Sequence, residues 1–249
     1  FGNSAVTLIV TDGFGGTNST TFVFTVTPLN DPPRFSIIPN QTHNVNTVIA
    51  PIDFTVTDPE TPAASLTLWA ASSNPVLLPA TNIVIGGSGT NRTVTITPAT
   101  NQIGTTMITI TAADTDGGTN NISFTLFVNS PPAISAISNQ TTNEDQVVGP
   151  MAFTIGDVET PADALTLWAA STNATLLPTN NIVFGGSSSN RTVTVTPATN
   201  QFGTTLITLT VDDGASGTGS VAFLVTINPV NDPPIANDDS ATTPEDTPL

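Results

Sequence analysis

One block of this chain occurs twice. ETPAASLTLWAASSNPVLLPATNIVIGGSGTNRTVTITPATNQIGTTMITIT begins at Glu60, and ETPADALTLWAASTNATLLPTNNIVFGGSSSNRTVTVTPATNQFGTTLITLT begins at Glu159. The offset is 99 residues without a gap, and a clear majority of positions are identical. A period this long exceeds that of a solenoid repeat and suits a whole small domain. The chain therefore reads as an array of near-identical domains, and its function is sought in the array and its junctions.

The boundaries follow from the repeat. Phe1-Gly2 aligns with Ile103-Gly104 and Phe202-Gly203, so residues 1–29 read as the C-terminal strands of a domain whose front lies outside this sequence. Residues 30–33 (Asn-Asp-Pro-Pro) are a linker, 34–130 a complete domain, 131–132 a Pro-Pro linker, and 133–229 a second complete domain. Residues 230–234 form another linker, and 235–249 begin a further domain. A segment of a longer chain with more repeats on both sides is expected.

Within 133–229, short runs rich in Val, Ile, Thr and Phe alternate apolar with polar residues, and Gly, Pro and Asn separate them. The pattern predicts seven strands: A near 134–139, B 147–155, C 165–171, D 181–185, E 191–196, F 205–212 and G 220–228. Nothing has helical period. Gly-Gly-Ser between D and E, and Gly217 between F and G, are hairpin signals. Seven short antiparallel strands in such a span predict an all-β, immunoglobulin-like sandwich repeated in tandem.

Composition limits the chemistry. There is no Cys and no Lys, and net charge is −16 with Arg34, Arg92 and Arg191 as the cations. Such a chain repels nucleic acid and anionic membrane surfaces, and no apolar run is long enough for a membrane helix. Apolar content of 38% supports one core per domain. Disulfides and Lys–Asn crosslinks are excluded, so if the domains are reinforced the remaining candidate is a metal held by the carboxylates. His43 lacks the Cys or further His that zinc or nucleophilic chemistry requires. The paired acids recur in every domain without cleft-forming insertions, which argues against a glycosidase. No enzyme activity is expected.

The Asn-Asp-Pro-Pro linkers, Asp-x-Glu before strand C, Asn-Glu-Asp after strand A and Thr-Asp-Gly after strand F resemble bacterial cadherin-like tandem repeats of large secreted adhesins. The resemblance covers essentially the whole chain. It implies an extracellular, cell-surface rod stiffened by calcium.

In a seven-strand sandwich, the BC and FG loops share one end with the incoming linker, while the AB and EF loops share the other with the exit of strand G. Calcium takes six to eight oxygens from carboxylates, amides, carbonyls and water. The 30–33 junction offers Asn30 and Asp31, Asp58 and Glu60 from the BC loop, and Asp114 and Asp116 from the FG loop. The 230–234 junction offers Glu144, Asp145, Asn231 and Asp232, with Asp238, Asp239, Glu245 and Asp246 beyond. At the middle junction Asp157, Glu159, Asp212 and Asp213 remain. There Asn44-Val45-Asn46 replaces Asn143-Glu144-Asp145 and the linker Asp is missing, so fewer metal ions are expected.

Arg92 and Arg191, in the DE turns, are expected to pair with carboxylates. Strand parity turns Trp69 and Trp168 outward with Thr67 and Thr166, whereas a bulge would turn them into the core, where sandwiches often keep a strand C Trp. Two functions follow. One is a non-enzymatic spacing or adhesive rod whose partners are other copies of the chain, in fibre-like contact through the Trp rings. The other is a ligand-binding module presenting those rings to cell-surface or matrix glycans.

Overall fold

The computed structural model describes residues 1–27, 29–234, 238–240, 242, 244 and 245. The chain divides into two compact units, Phe1–Asn129 and Ser130–Leu249.

Unit 1 opens with a hairpin, β1 (Gly2–Thr11) and β2 (Thr17–Val26), paired antiparallel along its whole length. Its sandwich comprises β3 (Arg34–Phe35), β4 (Gln41–Asn44), β5 (Ile52–Thr57), β6 (Thr67–Ser72), β7 (Ile83–Ser88), β8 (Asn91–Ile96), β9 (Gly104–Ala113) and β10 (Thr119–Asn129). These form two four-stranded sheets, ordered β3-β5-β8-β7 and β4-β10-β9-β6.

Unit 2 repeats the plan with β11 (Ala133–Ile134), β12 (Gln140–Asn143), β13 (Val148–Gly156), β14 (Thr166–Ser171), β15 (Ile182–Ser187), β16 (Asn190–Val195), β17 (Gly203–Asp212) and β18 (Thr218–Asn228). Its sheets are ordered β11-β13-β16-β15 and β12-β18-β17-β14. In letters these are A-B-E-D and A′-G-F-C, the division of an immunoglobulin-type sandwich.

The strands form where alternation is strongest. Along β17, Thr205, Ile207, Leu209 and Val211 are buried while their neighbours face outward. Phe153, Leu176, Leu177, Val193, Phe223 and Val225 complete the core. Each such apolar side chain contributes about 1.5–3 kcal/mol through burial.

Two local features differ from the expected strands. Strand A is split: β11 pairs antiparallel with β13 in one sheet, and β12 pairs parallel with β18 in the other. The run 134–139 is not one strand because the chain crosses between sheets there, tied by Thr154 N–H donating to Ser135 Oγ at 2.8 Å. Between C and D the chain makes a 3₁₀ turn, Ala80–Asn82 in unit 1 and Thr179–Asn181 in unit 2. Just before it, Asn74 Oδ1 accepts from Leu77 N–H at 3.2 Å and Asn74 carbonyl accepts from Leu78 N–H at 2.9 Å. That turn drives both leucines into the core.

Candidate metal centre

The FG turn of the candidate site is built three times on one hydrogen-bond pattern. Asp12 Oδ1 accepts from Phe14 and Gly16 N–H, both at 2.9 Å. Asp114 Oδ1 accepts from Asp116 and Gly118 N–H, both at 2.8 Å. Asp213 Oδ1 accepts from Ala215 N–H at 2.6 Å and Gly217 N–H at 3.0 Å. A carboxylate closing two backbone N–H groups makes a tight Asx-type turn. One oxygen of each acid is thereby committed to the fold.

The BC loop repeats the device. Asp58 Oδ1 accepts from Glu60 N–H at 3.0 Å and Thr61 N–H at 2.6 Å. Asp157 Oδ1 accepts from Glu159 N–H at 2.9 Å and Thr160 N–H at 2.7 Å. In both units the second Asp oxygen, Oδ2, is buried with no donor.

The linker closes over these loops. Asn30 Nδ2 donates to Asp114 Oδ2 at 2.9 Å, and Asp31 N–H donates to Glu60 Oε2 at 3.2 Å. Gly118 permits the approach: a Cβ there would stand 2.3 Å from Asp114 Oδ2 and 2.6 Å from Asn30 Nδ2. Asn120 Nδ2 holds the Pro33 carbonyl at 2.8 Å. In unit 2, Ser130 N–H donates to Glu159 Oε2 at 3.4 Å. There Gly219 replaces the Asn, and the Pro132 carbonyl lies where its Cβ would be.

These bonds link Asn30 with Asp114 and, through backbone N–H groups, the linker with Glu60 and Glu60 with Asp58 in unit 1; in unit 2 Asp157 and Asp213 lie near enough to Glu159 for their charges to act on it. Asn30 Oδ1, Asp58 Oδ2, Asp157 Oδ2 and Glu159 Oε1 are buried oxygens without a hydrogen-bond donor. Leaving such groups unpaired is costly, so a donor or a positive charge at these oxygens would be favourable. The electrostatics differ between copies. The Asn30 amide, with the FG backbone N–H groups assisting, holds Asp114 below the usual carboxylate range against the opposing effect of burial. Burial raises Glu159, and the neighbouring charges of Asp157 and Asp213 raise it further.

Other expected ligands stand elsewhere. Asp31 and Asp116 have exposed side chains, and only their backbone N–H groups join the cluster. Asp212 Oδ1 accepts from Gly214 N–H at 2.6 Å. Asp145, in the left-handed region at φ 61°, ties the EF loop by accepting from Asn200 N–H at 3.0 Å. Asn46, also at φ 61°, does the same for Asn101 N–H at 2.9 Å. The Asp145/Asn46 exchange therefore preserves this turn while changing its charge. Glu144 is buried and accepts from Val230 N–H. Asn231, Asp232, Asp238, Asp239 and Glu245 are exposed, and Asp246 lies outside the described residues.

Among the described residues, Arg92 and Arg191 do not pair with carboxylates as expected. Arg92 donates from Nε to Gly89 carbonyl at 2.9 Å, from Nη1 to Gly87 carbonyl at 3.3 Å and from Nη2 to Ala63 carbonyl at 2.8 Å. Arg191 repeats this on Ser188 and Ala162 carbonyls at 2.8 and 3.0 Å. The planar guanidinium fork clamps the DE turn to the BC loop. Trp69 and Trp168 follow strand parity and are 48% and 46% exposed, while Leu68, Ala70, Leu167 and Ala169 pack inward.

The donors suit a hard cation: all are carboxylate, amide or carbonyl oxygens, as calcium prefers, with neither thiolate nor imidazole among them. Among the described residues, no three Asp, Glu, His or Cys side chains already stand as a metal-sized cage.

Fold and repeated clusters together define a tandem array of immunoglobulin-like domains. Residues 129–226 match the family described as bacterial Ig domain, and unit 1 carries the same sandwich in the same strand order. Among solved structures, the I-band fragment I67–I69 from titin is 15% identical with TM-score 0.52, covering 80% of this chain and 66% of that chain. An E-to-A mutated variant of the same titin domains is 15% identical with TM-score 0.51, covering 81% and 67%. Protocadherin Gamma B2 extracellular cadherin domains 3–6 are 13% identical with TM-score 0.43, covering 91% and 57%. The chain thus spans just under two thirds of the first structure's length. Comparison with curated proteins gives no match. Among the described residues, no helix is long and apolar enough to cross a membrane.

Proposed function

We propose that this chain is a non-enzymatic stretch of a long extracellular or cell-surface protein, a calcium-stiffened rod used for spacing, adhesion or assembly with further copies of itself. The observation that carries the reading is the set of donor-less buried oxygens in both units: Asp58 Oδ2 and its counterpart Asp157 Oδ2, with Asn30 Oδ1 in the first and Glu159 Oε1 in the second. Their companions, Glu60, Asp114 and Asp213, are already drawn to the same end by the linker and FG turn. The extracellular setting is supported by the bacterial Ig domain match and by a composition without cysteine or lysine.

Mechanically, the chain's own residues do most of the work. The Asx turns fix each carboxylate by one oxygen, so the other oxygen is presented without conformational search. The linker is gripped by its backbone at Asp31 and Pro33 in unit 1 and at Ser130 in unit 2. Proline restricts φ at two successive positions, so the gripped linker has little freedom left. A bound calcium would supply the positive charge that lets these acids stay ionised side by side.

Melting in millimolar calcium and in chelator tests this. A ligand binding only the folded state adds about 2.7 kcal/mol at a hundredfold excess over Kd. A clear rise in Tm with calcium, lost in an Asp58→Asn, Asp157→Asn variant, is expected. Superimposable curves with and without chelator would refute it.

A further inference from the structure

We propose that β6 and β14 are the strands by which one copy of this chain pairs, edge to edge, with a second copy. The proposal deepens the assembly part of the function above and rests on that part, but needs no cation.

Both strands read Thr-Leu-Trp-Ala-Ala-Ser, and both lie at the edge of their four-stranded sheet. Ser73 N–H donates to Met107 carbonyl at 2.9 Å, and Thr172 N–H to Leu206 carbonyl at 3.1 Å. In an antiparallel ladder hydrogen-bonded pairs alternate. Trp69 and Ala71 therefore turn their backbone groups toward β9, while Leu68, Ala70 and Ser72 turn theirs to the open edge. In unit 2 the open groups belong to Leu167, Ala169 and Ser171.

Proteins usually guard such an edge with charge, proline or a bulge. Residues 67–73 contain none of these, in a chain of net charge −16. The opposite sheet's edge is less regular: β7 and β15 end in Gly-Gly-Ser, with Gly87 and Gly186 at φ +82° and +80°. A neutral edge is where two strongly acidic chains can meet with least repulsion.

The side-chain pattern selects a second copy as the occupant. An antiparallel pair centred on Ala70 sets Ala70 opposite the partner's Ala70 and Leu68 opposite the partner's Ser72, and forms up to about six backbone hydrogen bonds. On the outer face it sets Trp69 opposite the partner's Ala71, so a large ring meets a small side chain at both ends of the two-fold. The identical hexapeptide gives β14 the same register about Ala169. The inward residues Leu68, Ala70, Leu167 and Ala169 are only half-buried and lie over the core, so an added strand covers them. The contact is isologous, and merges two four-stranded sheets into one.

Sedimentation of the whole chain, in calcium and in chelator, tests this. Concentration-dependent association, beginning with a dimer, is expected in both. Ala71→Glu with Ala170→Glu, both at exposed positions, places like charges beside each other across the edge. That variant should be monomeric with unchanged melting, whereas Val84→Glu with Val183→Glu on β7 and β15 should remain dimeric. Register is read separately. The chain has no cysteine, so Ala70→Cys, oxidised by dissolved oxygen with a copper–phenanthroline catalyst, should form an intermolecular disulfide, because hydrogen-bonded partners lie about 5.5 Å apart at Cα. A wild-type monomer at every concentration overturns the proposal. So does a dimer that survives the Ala71→Glu, Ala170→Glu changes, which would assign association to another surface such as the exposed apolar face of β1 and β2. Absence of the Ala70→Cys crosslink in a confirmed dimer overturns the register. Loss of the calcium melting shift alone would strike the cation reading and leave the edge pairing standing.

Discussion

Asp145 and Asn46 occupy the same left-handed position and make the same bond to the EF loop, although one is charged and the other is not. Asp145→Asn should therefore change neither stability nor calcium response. Asp145→Ala should cost about 1 kcal/mol, by loss of one turn-closing hydrogen bond and of a residue tolerant of positive φ. Chemical denaturation of both variants checks this. Arg191→Met leaves the Ser188 and Ala162 carbonyls without their guanidinium donors, and should destabilise unit 2 by about 1–3 kcal/mol. Lysine should not restore it, since a point charge lacks the fork. Glu159 and Asp114 give opposite pH signs. Glu159 binds its proton more tightly folded than unfolded, so cation-free unit 2 should gain stability as pH falls from neutral through its raised pKa toward the ordinary carboxylate value. Glu159→Gln should abolish that gain and weaken the calcium response. Asp114 is depressed, so its contribution is present above the ordinary value and fades as pH falls through the lowered one. Thermal melts across mildly acidic pH, in chelator, separate the two.

At the level of elements, alternation located β13 to β18 closely because each has one face on the core, and period-two patterning registers that directly. Strand A was not legible as two pieces. Its few residues change sheets midway, and which sheet they join depends on partners far along the chain. The 3₁₀ turns were hidden for a similar reason, since Asn74 and Asn173 act through local side-chain bonds that carry no periodicity. The BC and FG acids could be placed at one end because sandwich topology fixes which loops are neighbours. Which oxygen of each acid is spent on the turn could not be read, nor that Asp116 would face away from the cluster while Asn30 faces in. Parity was a sound guide for Trp69 and Trp168: no bulge interrupts β6 or β14, so both rings stay outward. The FG turn should be the element most sensitive to one change. Asp213→Ala removes two turn bonds and a cluster carboxylate together, and should lower unit 2 stability by about 1–3 kcal/mol even in chelator. Asp213→Asn should keep most of the turn and lose mainly the calcium response.

For the whole molecule, two units with the same fold carry two versions of one acidic cluster. Unit 1 combines Asp58, Glu60 and Asp114 with Asn30 and an adjacent Asp31, while unit 2 has Ser130 at the Asp31 position. The unit 2 cluster should therefore hold calcium more weakly, by the removal of one nearby negative charge. The central claim is that these buried, donor-less oxygens exist to face a cation. Anomalous diffraction from crystals grown in calcium tests it most directly. A calcium peak is expected among Asn30, Asp58, Glu60 and Asp114, and a second of lower occupancy among Asp157, Glu159 and Asp213. Well-ordered crystals in millimolar calcium with no anomalous peak at either cluster would contradict it.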